Sequence, residues 1–260
     1  MGGFVGNVSA GTATLTGCTN TADITSTKGN VAGILGDTSS SSTVLTNCHN
    51  TGDIECTGSL AQVAGIVATC RAEAYAVITI KKCSNEGNIT GKANSSGNSN
   101  TAGILGWLSN KESKTLTIEE CSNSGAITAT GNNVGSLLGQ AGAGTIVNVF
   151  NSCNTGNVTG GSESDVRTLC GKVFSPENCT MKNCWNAGTL TGGTTKTLEE
   201  MEAAGQAIED CEKYRISTNV GGTTYYVKAD GTLTSTSCSS ATASPTAQRL
   251  PTAPHRHRPS

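Results

Sequence analysis

The chain has 260 residues, a formal charge of −2, 14% charged residues and 3% aromatic residues. That balance gives no electrostatic case for nucleic acid or an anionic membrane, and no apolar run approaches the ~20 residues a membrane helix needs. So few bulky side chains exclude a thick globular core and leave a thin one, supported by a long backbone ladder.

Met1 leads directly into Gly3-Phe4-Val5-Gly6, the truncated first copy of a phrase that runs small-small-aliphatic-aliphatic-small. Full copies are AGILG from Ala32, AGIVA from Ala64, AGILG from Ala102 and GSLLG from Gly135, with a degraded CGKVF from Cys170. Opening on this phrase predicts a chain that starts in mid-repeat, as a fragment of a longer protein, with no signal peptide in the fragment. After each copy comes an alternating stretch, such as TVLTNC before His49, VITIKKC before Ser84 and TLTIEEC before Ser122. Alternation of apolar and polar β-branched residues between Gly and Asn is a strand signal.

A second phrase follows each stretch: CTNTADI at Cys18, CHNTGDI at Cys48, CSNEGNI at Cys83, CSNSGAI at Cys121, SCNTGNV at Ser152 and CWNAGTL at Cys184. Three residues before its Cys or Ser lie Leu15, Leu45, Ile80, Ile118, Val149 and Met181, and an apolar stripe closes it at Ile24, Ile54, Ile89, Ile127, Val158 and Leu190. A period of this kind means stacked units, none of which buries its apolar face alone. Three strand candidates per unit and no helical periodicity predict an all-β fold, a parallel β-solenoid of about six coils over residues 1–193. At about 4.8 Å per coil the rod is roughly 25–30 Å long. A leucine-rich horseshoe needs a denser leucine pattern.

Stacking turns equal positions into columns. The asparagine column (Asn20, Asn50, Asn85, Asn123, Asn154, Asn186) is expected to form a structural amide ladder, with a ligand-binding row as its alternative. The cysteine column (Cys18, Cys48, Cys83, Cys121, Cys184) has Ser152 at its fifth position, and Cys153 is shifted by one residue to the opposite face. In-register neighbours point the same way, a poor fit to a disulfide torsion near about ±90°, so these thiols are expected to be reduced. Cys56, Cys70, Cys153, Cys170, Cys179, Cys211 and Cys238 are better candidates for bridges, although no pairing follows from sequence. Before the closing stripe lie Asp23 and Asp53, whose stacked carboxylates suit calcium but suit a solvated turn edge better. Sequon-like strings at Asn7, Asn88, Asn94, Asn157 and Asn178 are expected by chance in so polar a chain. No zinc-ligand spacing occurs, and no cofactor is expected.

Past Gly193 the character changes. Thr197-Leu198-Glu199-Glu200 is a capping-box signature, and Leu198, Met201, Ala204, Ile208 and Cys211 follow at helical spacing. This predicts a small helix over about 198–213, then a hairpin from Thr223 to Ser237 turning at Asp230-Gly231, together forming a cap over 194–238 that covers exposed strand edges. The Ala/Ser/Thr/Pro-rich tail, 239–260, reads as disordered; its His255 and His257 are too isolated for ligands.

Gly33-Ile34-Leu35-Gly36 with Asn50-Thr51-Gly52-Asp53-Ile54, and Gly103-Ile104-Leu105-Gly106 with Asn123-Ser124-Gly125-Ala126-Ile127, resemble the GLUG-type repeats of bacterial surface proteins. The resemblance covers most of residues 2–193. It departs in having Cys or Ser where an aromatic residue is common. Such repeats occur in large secreted or wall-attached proteins, including regions that precede the catalytic domain of immunoglobulin A metallopeptidases. The resemblance implies a non-catalytic β-helical stalk or adhesive module, extracellular or at the cell surface.

Two function classes follow. The first is a structural or adhesive module whose partner is a host or cell-surface glycan or protein, met at loops of varying length between Ile89 and Ala102 and between Val158 and Cys170. Those loops have almost no aromatic or arginine anchors, so avidity over many repeats has to supply affinity. The alternative is a carbohydrate-active β-helix enzyme, a polysaccharide lyase or glycoside hydrolase, which needs paired carboxylates or calcium with a basic residue. The close acidic pairs are Asp23/Asp53, Glu119/Glu120 and Glu163/Asp165, and aromatic sugar platforms are limited to Tyr75, Trp107 and Trp185. An ice-binding face needs Thr-x-Thr in register on every coil; Thr12-Ala13-Thr14 suggests one, but Thr79 and Thr117 are expected to fall outside that column.

Overall fold

A computed structural model describes residues 1–59, 62–161, 166–167 and 169–192, and the backbone of five short strands between 207 and 235. The chain winds as a parallel β-solenoid in which each coil has five short strands rather than three. In the second coil these are an entry strand (Val31–Ala32), an exit strand (Leu35–Thr38), a long strand (Ser42–Thr46), an amide strand (His49–Asn50) and a closing strand (Ile54–Cys56). Each type stacks on its equivalents: four entry strands, six exit, seven long, seven amide and six closing strands. In this second coil the entry and amide strands are two residues long, too short to carry an alternation readable in sequence.

Registration is direct. Leu15 pairs with Leu45, Leu45 with Ile80, Ile80 with Ile118, Ile118 with Val149 and Val149 with Met181. Ile24, Ile54, Ile89, Ile127, Val158 and Leu190 pair in the same way. The AGILG phrase is a bend between entry and exit strands, and it divides the interior. One core lies between exit and long strands, built on Ile34, Leu45, Ile66, Ile80, Ile104 and Ile118. The other lies between closing and entry strands, built on Ile54, Val63, Ile89, Ile127 and Val158.

Two corners are fixed by backbone conformation. The residue before each ladder Cys or Ser is left-handed in every coil: Gly17, Asn47, Lys82, Glu120, Asn151 and Asn183 have φ of 67, 53, 55, 54, 49 and 54°. Glycine and asparagine suit this region; Lys82 and Glu120 occupy it while paired to each other across coils at 3.6 Å. The small residue after the asparagine is fixed by space. A Cβ on Gly52, Gly87, Gly125, Gly156 or Gly188 would lie 1.9–2.1 Å from the carbonyl oxygen of the equivalent residue one coil below. Ala22 occupies this position on the first coil.

The predicted helix over 198–213 is corrected where it can be compared. Ala207–Glu209 and Glu212–Lys213 are strands, adding in parallel to Cys179–Lys182 and Trp185–Asn186, with Ile208 opposite Met181. Leu198, Met201 and Ala204 lie outside the described residues. An aliphatic residue three before a cysteine fits a helix and a solenoid rung equally. The unpaired edge of the last coil, with its ready hydrogen-bond partners, outweighs the weak stability of a short helix. Thr223–Val227 pairs antiparallel with Leu233–Ser235 and also with Ile216–Val220, making a three-stranded sheet; its turn at Asp230-Gly231 and the tail 239–260 lie outside the described residues.

The outer threonines of the long strand also differ from expectation. Thr14, Val44, Thr79, Thr117, Asn148 and Thr180 form one column, so Thr79 and Thr117 do share it. The Thr-x-Thr pattern still fails, because the column beside it reads Thr12, Ser42, Val77, Thr115 and Ile146.

Gly87→Ala is expected to lower stability by about 1–3 kcal/mol or more, since the new methyl must displace backbone of the coil below. Gly6→Ala, where a Cβ meets nothing within 4 Å, is the matched control. Denaturant midpoints check both.

Candidate functional site

The asparagine column is a continuous hydrogen-bonded ladder. Asn20 Nδ2 donates to Asn50 Oδ1 at 2.7 Å, Asn50 to Asn85 at 2.8 Å, Asn85 to Asn123 at 2.7 Å, Asn123 to Asn154 at 2.8 Å and Asn154 to Asn186 at 2.7 Å. The second N–H of each amide donates to the carbonyl two residues on, from Ala22 O at 2.8 Å to Gly188 O at 2.8 Å. Every bond runs the same way, so neighbouring dipoles polarise one another. The amides reach across the interior to the AGILG bend: a Cβ on Gly33, Gly65 or Gly103 would lie 2.1–2.2 Å from Oδ1 of Asn50, Asn85 or Asn123.

The cysteine column does related work at the left-handed corner. Cys83 Sγ donates to Lys81 O at 3.3 Å, Cys121 Sγ to Glu119 O at 3.3 Å and Cys184 Sγ to Lys182 O at 3.4 Å. Ser152 Oγ donates to Phe150 O at 2.7 Å and accepts the Cys121 N–H at 3.1 Å, just as Cys83 Sγ accepts the Cys48 N–H at 3.4 Å. A hydroxyl and a thiol are interchangeable here because each offers one donor and an acceptor. Cys18, Cys48, Cys83 and Cys121 are free thiols. The hydrogen bond to Cys83, with burial, pushes the Cys48 thiol up; the bond to Cys121 does the same for Cys83. Of the cysteines expected to bridge, Cys153 is disulfide-bonded, whereas Cys56 and Cys70 are free, and burial pushes Cys70 up to about 12. Cys211 and Cys238 lie outside the described side chains.

Asp23 and Asp53 are engaged by backbone. Asp23 Oδ1 accepts the Asp53 N–H at 2.8 Å, and Asp53 Oδ1 accepts the Asn88 N–H at 2.7 Å. Asn88 Oδ1 continues the series by accepting the Ala126 N–H at 3.1 Å. Among the described residues no three His, Cys, Asp or Glu side chains converge to hold a metal ion. Glu119 pairs with Lys81 at 3.0 Å and Glu120 with Lys82 at 3.6 Å; Glu163 and Asp165 lie outside the described residues. The long 89–102 loop is closed by Asn94, whose Oδ1 accepts the Ser96 and Asn98 N–H groups at 2.9 and 3.0 Å.

Two groups of polar residues, Trp107 excepted, are absent from the sequence-derived candidates. Lys114 is fully buried where the long strand begins, donating to Ser109 Oγ at 2.7 Å, and burial lowers its amine to about 8. The second group lines the crease outside the AGILG bend, between entry and exit strands. Asp37, Thr69, Trp107, Gln140 and Lys172 form one column along its exit side. Side chains staple the crease in two coils: Asn30 Nδ2 donates to Asp37 Oδ2 at 3.3 Å, and Asn133 Nδ2 donates to Gln140 Oε1 at 3.0 Å and to Asn100 Oδ1 at 2.8 Å. Asn100 and Asn133 are left-handed, with φ of 43 and 61°. From the free oxygen of the first staple onward, Asp37 Oδ1, Thr69 Oγ1 and Trp107 Nε1 are buried without a hydrogen-bond partner, on three successive coils. The only sequence signal is a polar residue seven before each column member (Asn30, Gln62, Asn100, Asn133).

Asn123→Ala is expected to lower the melting temperature by a degree or more, because it strands the Asn85 N–H and the Gly125 carbonyl, each costing about 1–3 kcal/mol when buried unpaired; thermal unfolding checks it. The buried thiols set an alkaline limit. Cys48, Cys70 and Cys83 hold their protons in the folded chain above the ordinary value of 9.0, so the unfolded chain binds fewer protons above that pH and stability falls as pH rises. Denaturant midpoints should therefore decline above about pH 9, and the buried ladder thiols Cys48, Cys83 and Cys121 should resist a chromogenic disulfide reagent that reacts fully after unfolding.

No family model and no curated protein matches the chain. It is similar to a solved structure named as a putative immunoglobulin A1 protease from Bacteroides ovatus, at 20% identity and a TM-score of 0.49, over 75% of this chain and 68% of that one.

Proposed function

We propose that this β-helix is a non-catalytic structural and adhesive stalk of a secreted or cell-surface protein, of the GLUG-repeat type. One observation carries the reading. The recurrent polar side chains inside and along the edges of the coils are engaged in holding one coil to the next. The asparagines bond asparagines, the ladder thiols bond carbonyls, and Asp23 and Asp53 accept backbone amides. Acid–base chemistry needs a carboxylate available to a substrate proton. Glu119 and Glu120 face lysines on the neighbouring coil instead. A rod built this way keeps its partner-facing groups at fixed spacing along its length, which suits weak contacts summed over many repeats.

A multivalent display of the chain on beads, screened against glycan and cell-surface protein arrays, is expected to retain specific partners that the monomer holds weakly. Absence of any partner leaves a plain spacer. Release of reducing ends from polysaccharides, with or without calcium, would overturn the non-catalytic reading.

A further inference from the structure

We propose that the crease between entry and exit strands binds a linear, neutral saccharide along the rod axis, through Asp37, Thr69 and Trp107. The inference rests on the adhesive reading and names its ligand class and site. Buried polar atoms in folded proteins nearly always have partners, and the crease satisfies its own at Asn30–Asp37 and Asn133–Gln140. From the free oxygen of the first staple to Trp107 it does not. Thr69 is completely buried, yet its hydroxyl bonds nothing, and the same holds for the Trp107 indole N–H and one Asp37 oxygen.

The three groups differ in sense. The carboxylate oxygen only accepts, the hydroxyl both donates and accepts, and the indole only donates. They recur at the coil spacing of about 4.8 Å, close to the length of one pyranose unit. A chain of sugar hydroxyls, each able to donate and accept, is complementary to that series. The Trp107 ring is partly exposed beside its buried nitrogen, offering an apolar face against which a sugar ring can stack. Neutrality follows from the charges: Arg71 is paired with Asp37, so neither side chain offers an uncompensated charge to an ionic sugar beside Thr69. The polar atoms lie beneath the surface, so the indole turns to admit the ligand. Ordered water is the competing occupant.

The test titrates the full chain with linear hexasaccharides of β-1,4-linked glucose, xylose, mannose and N-acetylglucosamine, by calorimetry and tryptophan fluorescence. One series is expected to bind. Thr69→Val and Trp107→Phe should each weaken it about tenfold, while Thr128→Val on the outer closing-strand column leaves it unchanged. Thr69→Val should fold normally, because it removes a hydroxyl without a partner. Binding that survives both crease substitutions overturns this site and leaves saccharide adhesion elsewhere on the rod. If no hexasaccharide binds, the inference falls, and a stability loss in Thr69→Val would then assign the crease to ordered water. A protein-array partner in that case keeps the adhesive reading intact without this site.

Discussion

The contact between an asparagine amide and a glycine bend organises this molecule. The amides of Asn50, Asn85 and Asn123 reach across the coil until their oxygens leave no room for a Cβ on Gly33, Gly65 or Gly103. That pinch divides the interior into two thin cores and brings two phrases of the repeat, distant in sequence, into direct contact. The bend that follows these has Ser136 at the position equivalent to Gly103, and Asn154 keeps its bonds to Asn123 and Asn186 there, so the bend admits a small residue. A non-amide in the ladder leaves the bend facing a void and a buried carbonyl without its donor. The phrases therefore constrain each other, and neither has a substitute elsewhere in the coil.

The same contact explains where the repeat varies in length. From the aliphatic before the ladder Cys or Ser to the closing aliphatic, every described coil keeps one spacing, as in Leu15 to Ile24, Ile80 to Ile89 and Met181 to Leu190. From entry to exit strand the spacing is likewise constant, as in Val31 to Leu35 and Thr101 to Leu105. Insertions fall only at the two other corners, between exit and long strands and between closing and entry strands. Those corners touch neither the amide ladder nor the bend, so added residues leave both in register, and the one shift recorded falls between Asn98 and Thr101 at the end of the long loop. The crease lies on a constant arc, and its column members keep their places while their chemistry changes from Asp37 to Thr69 to Trp107.

What could be read from sequence follows this division. The ladders and the aliphatic columns repeat a residue type at a fixed spacing, and all were legible. The five-strand coil was not, because a two-residue strand such as His49–Asn50 has no period of its own. Ile208 and Cys211 were read as helical because their spacing is shared by helix and rung; only the open edge of the preceding coil decides between them. The crease was invisible for a different reason: its column repeats a position and not a residue type. Left-handed backbone at Lys82 and Glu120 was hidden in the same way, since neither residue advertises the conformation its neighbours Asn47 and Asn151 suggest.

Position also decides what a sulfur does here. In the ladder column the thiol caps a carbonyl, accepts an amide from the adjoining coil and is shielded from ionising, which removes the thiolate needed for exchange. Cys153 is displaced from that column by one residue, with Ser152 taking over the hydrogen bonds. In a strand, one residue is the difference between opposite faces. The displaced sulfur stacks with Trp185 in its own small cluster and is disulfide-bonded. A chain rich in cysteine thus combines inert thiols with a bridge, and within the asparagine phrase a single step separates the two. The ladder needs its sulfurs reduced to keep their hydrogen bonds, and at Cys48 and Cys83 burial and the neighbouring thiol favour this, because a thiol that resists ionising is a poor nucleophile toward disulfides.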